Sequence, residues 1–194
     1  SARYEQLCSA IQQRPVRHIL NSPGILRFPD YQFEMVRLGI GLYGVDPTDF
    51  PAGSHGQKKK ADLQPVATLK SVVSQIRVVP PGQSIGYGRK GRTINDMKVA
   101  TIALGYADGF SRAFSRGVGE VLVNGKRAPV VGNVCMDMTM IDVTGIEVHE
   151  GDEVIIFGKD LPIGEVAQKI GTIPYEILTS TSERVKRVFH AESI

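Results

Sequence analysis

Five short clusters in this chain of 194 residues bring together side chains able to do chemistry. In Ser84-Ile85-Gly86-Tyr87-Gly88 a phenol sits between glycines, which let the backbone turn tightly enough to hold a ring out into a site. A surface turn with an incidental aromatic fits the same residues. Asn21-Ser22-Pro23-Gly24 and Gly39 point to anion chemistry. In parallel α/β architectures ligands bind where strands run into loops, and freed backbone amides can hold phosphate oxygens. Ser22 and Gly39 are therefore phosphate candidates, although Ser22 capping a turn and Gly39 easing packing explain them equally well. Arg37 lies among Met35, Val36, Leu38 and Ile40. A guanidinium inside an apolar strand is expected to face a carboxylate or a ligand, because an unpaired buried charge is strongly unfavourable. Gly105-Tyr106-Ala107-Asp108-Gly109-Phe110 puts an aromatic and a carboxylate in one loop, and Cys135-Met136-Asp137-Met138 ends a strand. Taken singly, the first reads as a turn and the second as core filling.

The elements that must position these clusters follow from periodicity. Tyr4, Leu7, Cys8 and Ile11 recur at helical spacing and predict a short amphipathic helix ending before Arg14-Pro15. A strand is expected over residues 16–20, running into the turn at 21–24, and a second, buried strand over 33–43. From 45 to 60 the pattern dissolves into proline, glycine and charge, which places a domain boundary there. Beyond it, short strands are expected at 66–79, 99–104, 120–123, 130–136, 139–143 and 153–157, with a hairpin turn at Asn124-Gly125. This spacing suggests a sandwich or barrel. Ile163, Val166, Ala167 and Ile170 form one helical face stopped by Gly171, and a last helix starts near Pro174. The fold class is thus α/β followed by mainly β.

Composition narrows the function classes. An apolar content of 42% without a run long enough to span a bilayer points to a soluble, cytoplasmic globular protein with no membrane role. The net charge of +3 is dispersed except at Lys58-Lys59-Lys60, which reads as a solvated loop, so no nucleic-acid partner is expected. Cys8 and Cys135 lack ligand spacing and read as reduced thiols, and the four histidines form no metal motif, so no metal site is expected.

Taken together and in this order, Asn21-Ser22, Met35 to Ile40, Ser84 to Gly88, Gly105 to Phe110 and Cys135 to Met138 resemble alanine racemase over nearly the whole chain. The resemblance implies the late part of a truncated β/α (TIM-type) barrel and linker over residues 1–60. A C-terminal β-sandwich or barrel-like domain with short terminal helices would then occupy 61–194. It implies a pyridoxal 5'-phosphate cofactor whose phosphate meets Ser22, Gly39 and Ile40 and whose pyridine nitrogen faces Arg37. A protonated guanidinium can donate a hydrogen bond to that nitrogen but hardly a proton, which leaves the ring a weaker electron sink and disfavours transamination. Tyr87 matches the tyrosine that removes the α-proton of L-alanine, with the cofactor-bearing lysine serving the opposite face. A free phenol has a pKa of about 10, so a phenol used as a base near neutrality needs positive charge close by. Tyr106, Met136 and Asp137 match the substrate pocket, Met136 through its backbone amide. Tyr87 and Met136 of that family enter the partner's active site, which implies a head-to-tail homodimer making D-alanine for peptidoglycan.

The departures matter as much. The family's lysine lies in an Ala-Tyr-Gly-His type motif, and no such motif occurs in these residues. The chain is accordingly expected to be a fragment of a longer enzyme, inactive alone and doubtful as a cofactor binder. Glu183 stands where some relatives have a tyrosine near the cofactor and receives no role. Two other readings stay open: a non-catalytic β module for assembly or binding, and a racemase for serine or another small amino acid.

Overall fold

Apolar segments in the second half of the chain bury every second residue, as at 126–131 and 139–142, or successive residues, as at 121–123, in keeping with strands packed on a core. In a computed structural model, which describes residues 2–10, 15–47, 62–89 and 91–190, those segments close into a barrel. Its strands are β1 (Leu69–Val79), β4 (Met97–Ile102), β5 (Glu120–Val123), β6 (Lys126–Val131), β7 (Thr139–Asp142) and β8 (Glu153–Phe157). A separate two-stranded ribbon joins β2 (Ser84–Ile85) to β3 (Gly91–Arg92). Around the barrel the order is β1-β4-β7-β6-β5-β8, every pairing antiparallel.

Closure falls to β1. Its first part pairs with β8 (Leu69 with Phe157, Val72 with Glu153) and its later part with β4 (Val73 with Ile102, Val79 with Met97). Register shifts at Leu69/Lys70 and at Val73/Gln75 bend the strand so that it can change partner. No barrel strand is then left with an unpaired edge. The interior is apolar: Val73, Ala100, Ile102, Val121, Val123, Ala128, Val130, Ile141 and Val154 are all essentially inaccessible. The Asn124-Gly125 turn adopts positive φ at both positions, 50° and 73°, as its residue types require. The strand expected over 130–136 ends at Val131, because Gly132 takes φ +68° and turns the chain into a loop over residues 132–138.

Helices α3 (Ile163–Lys169) and α4 (Pro174–Ser180) follow β8, and Gly171 leaves α3 at φ +70°. Lys169 Nζ reaches Glu120 Oε2 at 2.9 Å and Arg127 pairs with Glu165, which ties α3 to β5 and β6.

By its contacts the chain divides into two compact units, Ser1–Gln64 and Pro65–Ile194. In the first, α1 (Ala2–Ser9) forms where helical spacing predicts it. Ile11 and Lys58 to Lys60 lie outside the described residues, as does most of the expected boundary. The two strands expected here do not form. Residues 16–20 and 33–43 meet through Met35 N–H to the Arg17 carbonyl (3.2 Å), Arg37 N–H to the Leu20 carbonyl (2.9 Å) and one parallel bridge, Asn21 with Arg37. A ladder needs bonding along its length. Here the chain leaves the extended path after Gly39, enters a 3-10 turn over Ile40–Tyr43 and exits through Gly44 at φ +70°. Met35, Leu38 and Leu42 are exposed rather than buried. The expected turn at 21–24 is instead the start of helix α2 (Ser22–Arg27).

Candidate functional site

In the first unit, Asn21 caps α2 by accepting from Gly24 N–H at 3.1 Å, so the serine beside it is free for another use. Ser22 is 3% exposed, and its Oγ accepts from Gly39 N–H at 2.8 Å. Two sequence-distant phosphate candidates are thereby brought together, with Ile40 buried next in line. Gly39 donates its amide hydrogen to Ser22, so in this arrangement it aims the hydroxyl instead of meeting an anion itself. The hydroxyl keeps its own O–H to donate. Arg37 differs from expectation. It is exposed, not sealed in an apolar strand, and its Nη2 donates to the Ile19 carbonyl at 3.3 Å. The Ser22 hydroxyl and the Arg37 guanidinium are each donors of the kind that suits the phosphate and the ring nitrogen of pyridoxal phosphate. Nearby, Arg17 grips Glu34 through its guanidinium and stands 4.9 Å over the Phe33 ring. That hydrogen-bonded guanidinium lowers the Glu34 carboxyl to about 2.

In the second unit, Tyr87 opens a short turn after β2. Gly86 and Gly88 flank it at φ +72° and +71°, conformations that side chains resist, and the ring is 77% exposed. The turn is held from below. Asn133 Nδ2 donates to the Tyr87 carbonyl at 3.1 Å, and a Cβ on Gly86 would come within 2.7 Å of Met140 Cε.

The same loop, 132–138, grips the next cluster. Tyr106 N–H donates to the Cys135 carbonyl (2.9 Å) and Ala107 N–H to the Met136 carbonyl (3.0 Å). Gly105 makes this possible, since a Cβ there would collide with both carbonyl oxygens. Tyr106 and Met136 are consequently neighbours, 42% and 53% exposed. Asp108 is buried and accepts from Gly105 N–H at 2.8 Å, closing a 3-10 turn over Tyr106–Asp108.

Asp137 is already engaged. Its Oδ1 accepts from Arg184 Nη2 at 2.6 Å, while Arg184 Nε lies 2.8 Å from Asp108 Oδ1. Hydrogen bonding to Asp137, opposed by desolvation and assisted by the charge of Asp108, raises the Arg184 pKa. The Asp137 carboxylate is thus a structural acceptor here. No sequence motif marks Arg184 or Asn133 as part of the site, or Asp108 as the link between its loops. Arg184 carries no local signal beyond membership of a basic stretch, and Glu183 beside it is exposed.

Comparison with known proteins gives consistent matches. Residues 66–189 match the family model described as alanine racemase, C-terminal domain, and residues 1–47 the one described as alanine racemase, N-terminal domain. The chain is 43% identical over 176 residues to an alanine racemase of Desulfovibrio desulfuricans, covering 90% of this chain and 46% of that protein. An alanine racemase of Desulforamulus reducens is 45% identical over 176 residues, again 90% of this chain and 46% of the relative. Among solved structures, alanine racemase from Clostridium difficile 630 in complex with cycloserine superposes with TM-score 0.82 at 38% identity, covering 94% of this chain and 47% of that one. The Bartonella henselae alanine racemase with covalently bound pyridoxal phosphate gives TM-score 0.82 at 35% identity, covering 96% and 50%. The chain spans about half the length of the curated relatives it matches.

Proposed function

The chain belongs to the alanine racemase family, and from that premise we propose that it supplies the catalytic-tyrosine half of a pyridoxal-phosphate-dependent enzyme interconverting L- and D-alanine. The observation that carries the reading is the loop 132–138, which bonds to the Tyr87 turn on one side and to the Tyr106 turn on the other. The exposed residues Tyr87, Tyr106 and Met136 thus stand on turns joined through this one loop. Such a surface is suited to completing a site whose remaining half lies elsewhere, and a head-to-tail homodimer provides that arrangement.

Each residue then has a task. Tyr87 exchanges a proton with Cα on the face of the L substrate through its phenolic oxygen, and a lysine on the opposite face serves the D substrate. The Met136 amide and Tyr106 orient the substrate carboxylate. Ser22, aimed by Gly39 and followed by Ile40, holds the cofactor phosphate, and Arg37 donates to the ring nitrogen while remaining protonated. Pyridoxal phosphate, when bound, supplies the electron withdrawal that acidifies the α-proton. A cytoplasmic enzyme making D-alanine for peptidoglycan is the physiological setting that goes with this chemistry. Asp137, bonded to Arg184, supports Met136 instead of touching substrate. The domain division we adopt is 1–60 for the barrel part with its linker and 61–194 for the β domain.

The test is subunit complementation. This chain is mixed with an alanine racemase that keeps its cofactor lysine but has lost its own catalytic tyrosine, and L-to-D conversion is followed by chiral chromatography. Restored turnover that depends on Tyr87 is the expected result. Association of the two chains without turnover would favour a purely structural assembly module.

A further inference from the structure

We infer that Arg184 is a positioning residue for the substrate-carboxylate end of the site, an inference that rests on the reading of Met136 and Tyr106 given above. One guanidinium joins the two loops that carry them. Its Nη2 donates to Asp137, the residue following Met136, at 2.6 Å, and its Nε lies 2.8 Å from Asp108 Oδ1. The other Asp108 oxygen accepts from Gly105 N–H at 2.8 Å. A continuous polar path therefore runs from the Gly105 amide through Asp108 and Arg184 to Asp137, closing behind the Tyr106 and Met136 backbones.

Arg184 is itself held in place. Ser182 N–H donates to the Asp108 carbonyl at 3.1 Å. Arg187 donates to the carbonyls of Thr181 (3.0 Å), Ser182 (3.0 Å) and Val185 (2.9 Å), which curls residues 181–187 into a fixed shape. Gly109 lets this segment approach, because a Cβ there would collide with the Ser180 carbonyl. Arg184 meets the two carboxylates through separate nitrogens of one planar guanidinium, Nη2 on Asp137 and Nε on Asp108, a fixed fork that a lysine ammonium does not reproduce.

The charge matters as much as the shape. Without Arg184, two carboxylates would remain unneutralised beside the place where an amino-acid carboxylate has to bind, and like charges repel. A side chain that merely stabilised the domain would change how much protein folds. One that positions the Met136 amide and neutralises its neighbours changes substrate affinity.

Arg184→Ala and Arg184→Lys test this in two ways. Hydrogen exchange on this chain is expected to show protection at the Tyr106 and Ala107 amides falling about tenfold or more, in line with loss of charge-assisted support. Amides of β4 and β7 should be unchanged. In the complementation assay described above, the KM for alanine is expected to rise about tenfold or more with the alanine variant of this chain, with kcat within about threefold, and the lysine variant should fall between it and wild type. Wild-type protection at residues 106 and 107, or a wild-type KM in active variants, would overturn the inference. If Arg184→Ala does not fold, the lysine variant decides. A wild-type chain that restores no turnover in that assay would sink the functional reading instead, while the exchange measurement would still judge the clamp.

Discussion

Gly105→Ala isolates the fit between the two central loops. Gly105 has φ −147° and ψ −167°, an extended conformation open to any residue, so the substitution carries no backbone penalty of its own. What it adds is a methyl group closer than 3.0 Å to the backbone of Cys135 and Met136, a separation real Cβ atoms essentially never show. Backbone cannot swing aside as a side chain can, so the loops must part. Parting them breaks the bonds from Tyr106 N–H to Cys135 and from Ala107 N–H to Met136, 2.9 and 3.0 Å long. At about 0.5–1.5 kcal/mol net for each bond, the loss is about 1–3 kcal/mol, the range seen for overpacked sites. For a unit of this size that is roughly 3–12 °C in Tm. Urea denaturation and thermal melting of the chain measure it, and hydrogen exchange should place the damage at residues 106 and 107, with the barrel core unaffected. Gly125→Ala is the control. It has open space around it but a positive φ of 73°, so it should cost about 1 kcal/mol without touching those amides. A Gly105→Ala protein with wild-type stability and wild-type protection at both amides would refute the reasoning.

Tyr87→Phe should leave stability within about 0.5 kcal/mol of wild type, since the ring is 77% exposed, while abolishing turnover in the complementation assay by about a hundredfold or more. Asn133→Ala removes the donor on the Tyr87 carbonyl and is expected to lower kcat for L-alanine several-fold at nearly unchanged stability, as read by initial rates beside a melting curve. Glu120 offers a pH test. Its pKa is held below the ordinary 4.5, first by the hydrogen bond from Lys169, against the opposing effect of burial. Its contribution to stability is therefore complete above about pH 4.5 and is lost as the pH falls through the lower folded-state value. Urea midpoints between pH 7 and pH 3 should fall less steeply in Glu120→Gln than in wild type, and parallel curves would contradict the assignment.

Local signals in the sequence were sufficient for local structure. Gly86 and Gly88 foretell the turn at Tyr87, and Asn124-Gly125 foretells its hairpin, because in both cases the backbone conformation is set by residue type alone. The apolar face of α3 is legible from its helical spacing, and the start of α4 from Pro174. In the first unit the same apolar cues misled, since residues 16–20 and 33–43 look like strands but a strand exists only through its neighbour's hydrogen bonds. The burial argument for Arg37 failed with it. Only the tertiary structure decided that β1 closes a barrel by switching partners, that Ser22 meets Gly39, and that Asp137 faces Arg184. Each of these joins residues far apart in the chain, and no local propensity or spacing encodes which distant group completes a hydrogen bond.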